Sequence, residues 1–135
     1  MDITVSQAQG KVPVTVIQTH GPVDGSNYEE LIETAKIAVE AGARDILLDL
    51  GDTEYMSTAG MVAIQAITRL LRGETPPDDQ SGWDAIHHLD PEGLKGQPHL
   101  KLLNPQPRVE QSLEHIGFTA YFQVFRDKDA AIKAF

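Results

Sequence analysis

Two adjacent hydroxyls, Ser57 and Thr58, stand in the run Gly51-Asp52-Thr53-Glu54-Tyr55-Met56-Ser57-Thr58-Ala59-Gly60, directly before an apolar segment that starts at Met61. Hydroxyls at that place have two uses. Ser57 or Thr58 can accept a hydrogen bond from a free amide at a helix start, with Gly60 allowing close backbone approach. A hydroxyl exposed where a strand ends can also be reached by a partner, because open α/β sheets place their sites in the crevice beyond the strands' carboxyl ends. Local pattern alone favours the capping role. The other group with chemical potential is His87-His88 with Asp90 and His99. Adjacent residues on a helix diverge by about 100°, so His87 and His88 do not readily share an ion there, and a solvated loop is the simpler reading. His20 and His115 fall at element ends and are expected at the surface. Phosphate loops of the GxxxxGK type, GxGxxG, GxSxG and HExxH are all absent.

The composition narrows the options further. The 135 residues include 20 Asp plus Glu against 11 Lys plus Arg, a net charge of −9. Such a field repels phosphate backbones and acidic membrane surfaces, which argues against nucleic acid and lipid bilayers as partners. With no cysteine, disulfides, thiol catalysis and Cys-based metal centres are excluded. Hydrophobic residues at 41% and charged residues at 23% are ordinary for a folded chain, and one domain over residues 1–135 is expected. The amino terminus lacks the basic start and apolar centre of a secretory signal, and no run approaches the 18 or so apolar residues of a membrane span. A soluble cytoplasmic protein without membrane insertion is the expectation.

The elements that must position Ser57 and Thr58 follow from periodicity. Ile3 to Ser6 and Val12 to Ile17 alternate at period two around Gln9-Gly10, a hairpin in which Pro13 marks a strand start or an edge. Ser26-Asn27-Tyr28-Glu29 has the form of a capping box. Behind it Tyr28, Leu31, Ile32, Ala35, Ala38 and Val39 recur at helical spacing, with Gly42 as a stop. Ile46 to Leu50 is a short apolar run, as expected for a strand buried on both faces. Thr58 to Arg72 is a helix apolar around most of its circumference, so it must be packed on several sides. Its narrow polar stripe, Gln65, Thr68, Arg69 and Arg72, is expected to face solvent. Leu100 to Leu103 is a strand and Val109 to Ile116 a helix ended by Gly117. Tyr121 to Phe125 is a strand, and a last helical stretch is capped by Asp127. The order β-β-α-β-α-β-α-β-α defines an α/β fold with a mixed sheet, parallel where helices cross over.

One segment interrupts this rhythm. Residues 73–98 hold four prolines and four glycines in 26 residues and carry a net charge of −5. Helix-to-strand connections in compact α/β domains take about 2–6 residues, so this is an acidic insertion. Trp83 to Leu89 could form a helical turn, and Trp83 is the residue there expected to be buried or to anchor a partner. Because the insertion directly follows the helix from Thr58, it could cover, steer or block a partner face.

The stretch Asp49 to Met61 resembles, without a gap, a signature of the STAS-domain anti-sigma factor antagonists. There a buried strand leads through an aspartate and a hydrophobic residue into a D-S-[ST]-x-G-like or S-[ST]-A-G-like turn and then an apolar helix. Gly21-Pro22-Val23-Asp24 is similar to the family's G-x-[LI]-D, and Asn104-Pro105 followed by Val109, Leu113 and Gly117 extends the likeness to everything except the insertion. The resemblance implies a STAS-like single domain that is a binding switch, with neither catalysis nor cofactor. Its partner would be an anti-sigma factor that is also a serine kinase, and a serine/threonine phosphatase would reset it. Carried over by position, the phosphorylated hydroxyl is Thr58, with Ser57 as second choice, and the partner surface takes in Asp24, Ser57, Thr58, Gly60, Met61 and Gln65. Ser57 departs from the pattern, since many members carry aspartate there. STAS domains also serve as cytosolic subunits of lipid transporters and in sensory assemblies, where the hydroxyl need not be phosphorylated. A His-based metal-binding protein is a lesser alternative. Oligomeric state stays open; a dimer through the sheet edge or the insertion is compatible with the composition.

Overall fold

The alternating hydrophobic pattern of the first twenty residues builds a hairpin. In the computed structural model, which describes residues 2–73 and 99–135, strand β1 (Asp2–Gln9) pairs antiparallel with β2 (Pro13–His20) in unbroken register from Asp2 opposite His20 to Gln9 opposite Pro13. Pro13, having no amide hydrogen to donate, opens β2. The chain then forms α1 (Tyr28–Glu40), β3 (Ile46–Asp52), α2 (Thr58–Leu71), β4 (Leu100–Leu103), α3 (Pro107–Ile116), a single 3-10 turn (Phe118–Ala120), β5 (Val124–Phe125) and α4 (Lys128–Lys133). The sheet order is β1-β2-β3-β4-β5, antiparallel only at the hairpin and parallel from β2 onward. This is the mixed α/β architecture expected from the element order.

Both faces of the sheet are covered. On one, Ile17, Ile46, Leu48, Leu50, Leu100 and Leu102 pack under α1, α2 and α3, with Leu31, Ile64, Ile67, Val109 and Leu113 facing them. On the other, Val14, Val16, Leu47 and Leu103 lie beneath Ala131 of α4. Coverage on both sides explains why β3 is nearly continuously apolar. Lys101 is the exception within β4. Its stem is buried, its Nζ donates to Gln123 Oε1 at 2.5 Å and lies 5.0 Å over the Phe135 ring. Burial pushes its pKa down, against an opposing pull from Asp45.

Three local expectations are corrected. The capping box does not form, because Ser26 turns its hydroxyl to Asp24 Oδ1 and the helix begins one residue after Asn27, whose side chain makes no cap bond. Asn27 instead braces the preceding turn, accepting from the Asp24 amide at 2.9 Å and donating to the Pro22 carbonyl at 2.9 Å. The strand expected over Tyr121 to Phe125 shrinks to Val124–Phe125. Gly117, at φ +90°, ends α3 in the left-handed region, and the turn that follows packs Phe118 edge-on against Phe122 at 5.6 Å. Both rings are buried in the core, and a tight turn stands where a strand was expected. The polar stripe of α2 is exposed only at its end: Gln65 and Thr68 are buried, Arg69 is half-buried and Arg72 exposed. Thr68 satisfies itself by donating to the Gln65 carbonyl at 2.6 Å, while Gln65 Oε1 is buried without a partner among the described residues. The helical turn over Trp83 to Leu89, with His87, His88 and Asp90, lies outside the described residues.

Candidate functional site

Beyond the carboxyl end of β3 the chain crosses to α2 through residues 53–57, and this connection is tied down at every step. Thr53 is fully buried; its Oγ1 lies 2.5 Å from Thr19 Oγ1 and also donates to the Thr19 carbonyl at 3.2 Å. The Gly21 amide donates to the Asp52 carbonyl at 2.9 Å, the Val23 amide to Tyr55 at 3.0 Å, and the Ser57 amide back to Val23 at 2.9 Å. Val23 and Met56 thus form a one-residue parallel bridge that extends the sheet into the loop. On the open face, His20 Nδ1 and Asp52 Oδ2 are 2.6 Å apart, and His20 Nε2 is 2.8 Å from Thr4 Oγ1, which links β1 to the end of β3.

The two hydroxyls then separate in role. Ser57 is the N-cap of α2, half-buried, with its Oγ accepting from the Ala59 amide at 3.2 Å and its carbonyl from Gly60 at 2.9 Å. Thr58, the first helical residue, is exposed. The capping role falls to Ser57, and Thr58 is left exposed at the helix start. Gly60 is required by packing: a Cβ there would run into Met56 Cγ and come within 3.0 Å of Met56 Sδ and 3.3 Å of Val23 Cγ1. Only a glycine lets the loop lie this close against the helix.

Asp24 reaches the same end of the molecule through Val23. The Ser26 hydroxyl at 2.5 Å and amide at 2.9 Å bind Asp24 Oδ1 and hold its carboxyl below the usual carboxylate range. Beside Thr58 opens a groove of about 540 Å³, floored by Met56, Met61 and Ile116 and rimmed by Tyr55, Gln111, Ser112 and His115. The guanidinium of Arg108 sits 5.5 Å from the centre of the Tyr55 ring, a cation at the edge of the same surface.

Of the residues singled out from sequence, Asp24, Ser57, Thr58, Gly60 and Met61 are therefore brought together. Gln65 is buried two turns along α2 and presents nothing to this surface. His115, expected only at the surface, is exposed but forms a wall of the groove. Tyr55, Arg108, Gln111 and Ser112 were not anticipated. No local pattern marks them, since α3 meets the loop only through the fold. His99 is engaged with Asp45 at 2.7 Å, and no cluster of His, Asp or Glu suited to a metal occurs among the described residues.

An exposed hydroxyl at the start of a helix, on a loop extending a mixed sheet, is thus the feature at this end of the molecule, and comparison with known proteins places the chain in a family. The STAS domain family model matches residues 6–74, just over half of the chain, and the chain belongs to that family. It is 27% identical over its full length, and over 95% of the relative, to a Bordetella bronchiseptica protein that carries the provisional name anti-sigma factor antagonist BtrV. Among solved structures, the anti-sigma factor antagonist SpoIIAA in its unphosphorylated form superposes with a TM-score of 0.67 at 16% identity, covering 97% of this chain and 93% of that one. Phosphorylated SpoIIAA of Bacillus gives 0.61 at 17% identity, covering 97% and 96%. These two likenesses establish the fold. Among the described residues, no helix is long and apolar enough to cross a membrane.

Proposed function

We propose that this chain is an anti-sigma factor antagonist that acts by binding, in the cytoplasm, and is controlled by phosphorylation at Thr58. Its partner is an anti-sigma factor with serine/threonine kinase activity, and a serine/threonine phosphatase restores the binding form. The observation that carries this reading is the division of labour at the start of α2: Ser57 is committed to the cap, whereas Thr58 is exposed beside an open groove. Asp24, Ser57, Thr58 and Met61 form the contact surface, and Gly60 sets its shape. The relationship to BtrV and the SpoIIAA fold support the same reading.

The physics of the switch is simple. A phosphate on Thr58 adds about −1.5 to −2 charge. At a helix amino terminus the macrodipole favours that charge, so the fold is left intact. The interface is not. A charge desolvated without a partner costs about 2–5 kcal/mol, and about 4 kcal/mol turns a micromolar complex into a millimolar one. Ser57 in place of an aspartate also lowers the repulsion that a phosphate would meet from its neighbour.

The test is affinity capture from native extract with wild type, Thr58→Glu and Ser57→Glu, with mass spectrometry of partners and phosphosites. Wild type is expected to recover a kinase-type anti-sigma factor, Thr58→Glu to lose it, and phosphate to be found on Thr58. Recovery of a transporter ATPase or sensory scaffold, insensitive to both substitutions and without phosphate, would overturn the function while leaving the fold in place.

A further inference from the structure

Away from the Thr58 groove, a second open groove, of about 620 Å³, runs between α1 and the hairpin, lined by Val5, Gln7, Pro13, Ile37, Ala38 and Arg44 among others. Val5 is 46% and Ile37 58% exposed, and with Tyr55 of the Thr58 groove they are the large hydrophobic side chains left open among the described residues. Beside this groove runs β1, the outermost strand of the sheet, with no second neighbour among the described residues. It is eight residues long, its register with β2 has no bulge, and it contains neither proline nor lysine. Short length, bulges, proline and lysine are among the devices that keep an edge strand from pairing, and β1 uses none of these four. From Ile3 to Gln9 the strand also carries no charge, so nothing in it repels a copy of itself.

We propose that β1 is the seam of a symmetric dimer, in which it pairs antiparallel with β1 of a second copy of this chain. The inference goes beyond the switch, for no residue lining the Thr58 groove lies on β1. An edge-to-edge antiparallel pair has its two-fold axis perpendicular to the sheet, so facing residues share a face, and their numbers sum to an even value. The register centred on Ser6 sets Val5 of one protomer opposite Gln7 of its partner and Thr4 opposite Ala8. The two grooves then open on the same side and join over Val5, which removes this apolar surface from water. Charge selects the same register. Asp2 of one protomer falls opposite Gly10 of its partner, beside Lys11, and the pair occurs twice. Both Asp2 and Lys11 are exposed, and neither makes an ion pair with another described residue. Two opposite charges without partners, at the two ends of an uncharged strand, are what a self-complementary seam needs.

Sedimentation velocity on the full chain, from micromolar to sub-millimolar concentration, tests this. A concentration-dependent dimer is expected, and Val5→Lys should reduce it to monomer with an unchanged circular dichroism spectrum. Asp2→Lys and Lys11→Glu, both at exposed positions, should each weaken the dimer, and combining them should restore it because the charge pair is rebuilt with its signs exchanged. A wild-type chain that stays monomeric throughout, or a dimer indifferent to Val5→Lys, would overturn the proposal, leaving the groove to some other partner. A charge-swapped double variant as weak as either single one would overturn the Ser6-centred register.

Discussion

The Thr58 groove and the β1 groove both expose apolar side chains, yet they are built in opposite ways. Around Thr58 the backbone is fixed by a buried hydroxyl pair, a helix cap and three amide-to-carbonyl bonds between the loops after β2 and β3. Along β1 the outer backbone groups have no partner among the described residues, and the side chains above them are largely open. The contrast teaches what each surface needs. A surface to be switched by one added charge has to hold its shape when the charge arrives, so that affinity changes through electrostatics alone. A surface that pairs with its like needs only an unguarded edge and a groove to close.

The sharpest way to break the contrast is at Gly60. An alanine in a helix interior is ordinarily more stable than glycine by about 0.5–1 kcal/mol. Here the added methyl meets Met56 and Val23, and overpacking of this kind costs about 1–3 kcal/mol. Gly60→Ala should therefore lower stability in urea unfolding despite its better helix propensity, and a stabilised variant would show the loop to be softer than its bonds suggest. Next in size is Thr53→Val. It keeps the shape but leaves the Thr19 hydroxyl buried and unpaired, a loss of about 1–2 kcal/mol, and amide exchange in residues 53–57 should quicken by a comparable factor. The smallest effect belongs to the other groove. Ile37→Gln at an exposed position should move unfolding stability by no more than about 0.5 kcal/mol, measured at a concentration where the chain is monomeric. A larger loss there would mean that Ile37 supports the fold itself, and the two regions would be more alike than they look.

Much of this was legible without coordinates. The hairpin, the helix from Tyr28, the buried strand at Ile46, the helix from Thr58 and the cap at Asp127 were all set by short-range pattern. Neighbouring residues and the periods of strand and helix are enough to specify them. The gathering of Asp24 with Ser57 and Thr58 was legible only through likeness to a family, because Val23 and Ser57 meet through a backbone bond between distant segments.

What the chain alone determined is the sequence of elements, the mixed sheet they must form, and the presence of hydroxyls at a helix start. Those depend on local propensity and on which face of each element is apolar. Tertiary structure decided the rest: that Ser57 caps while Thr58 is exposed, that Gln65 is buried, that α3 walls the groove, and that β1 lies at the edge of the sheet with no second neighbour among the described residues. Each is a competition between partners far apart in the chain. Ser26 makes the point, for its sequence suits a helix cap, yet the folded turn offers its hydroxyl the Asp24 carboxylate, and a charged acceptor at 2.5 Å wins.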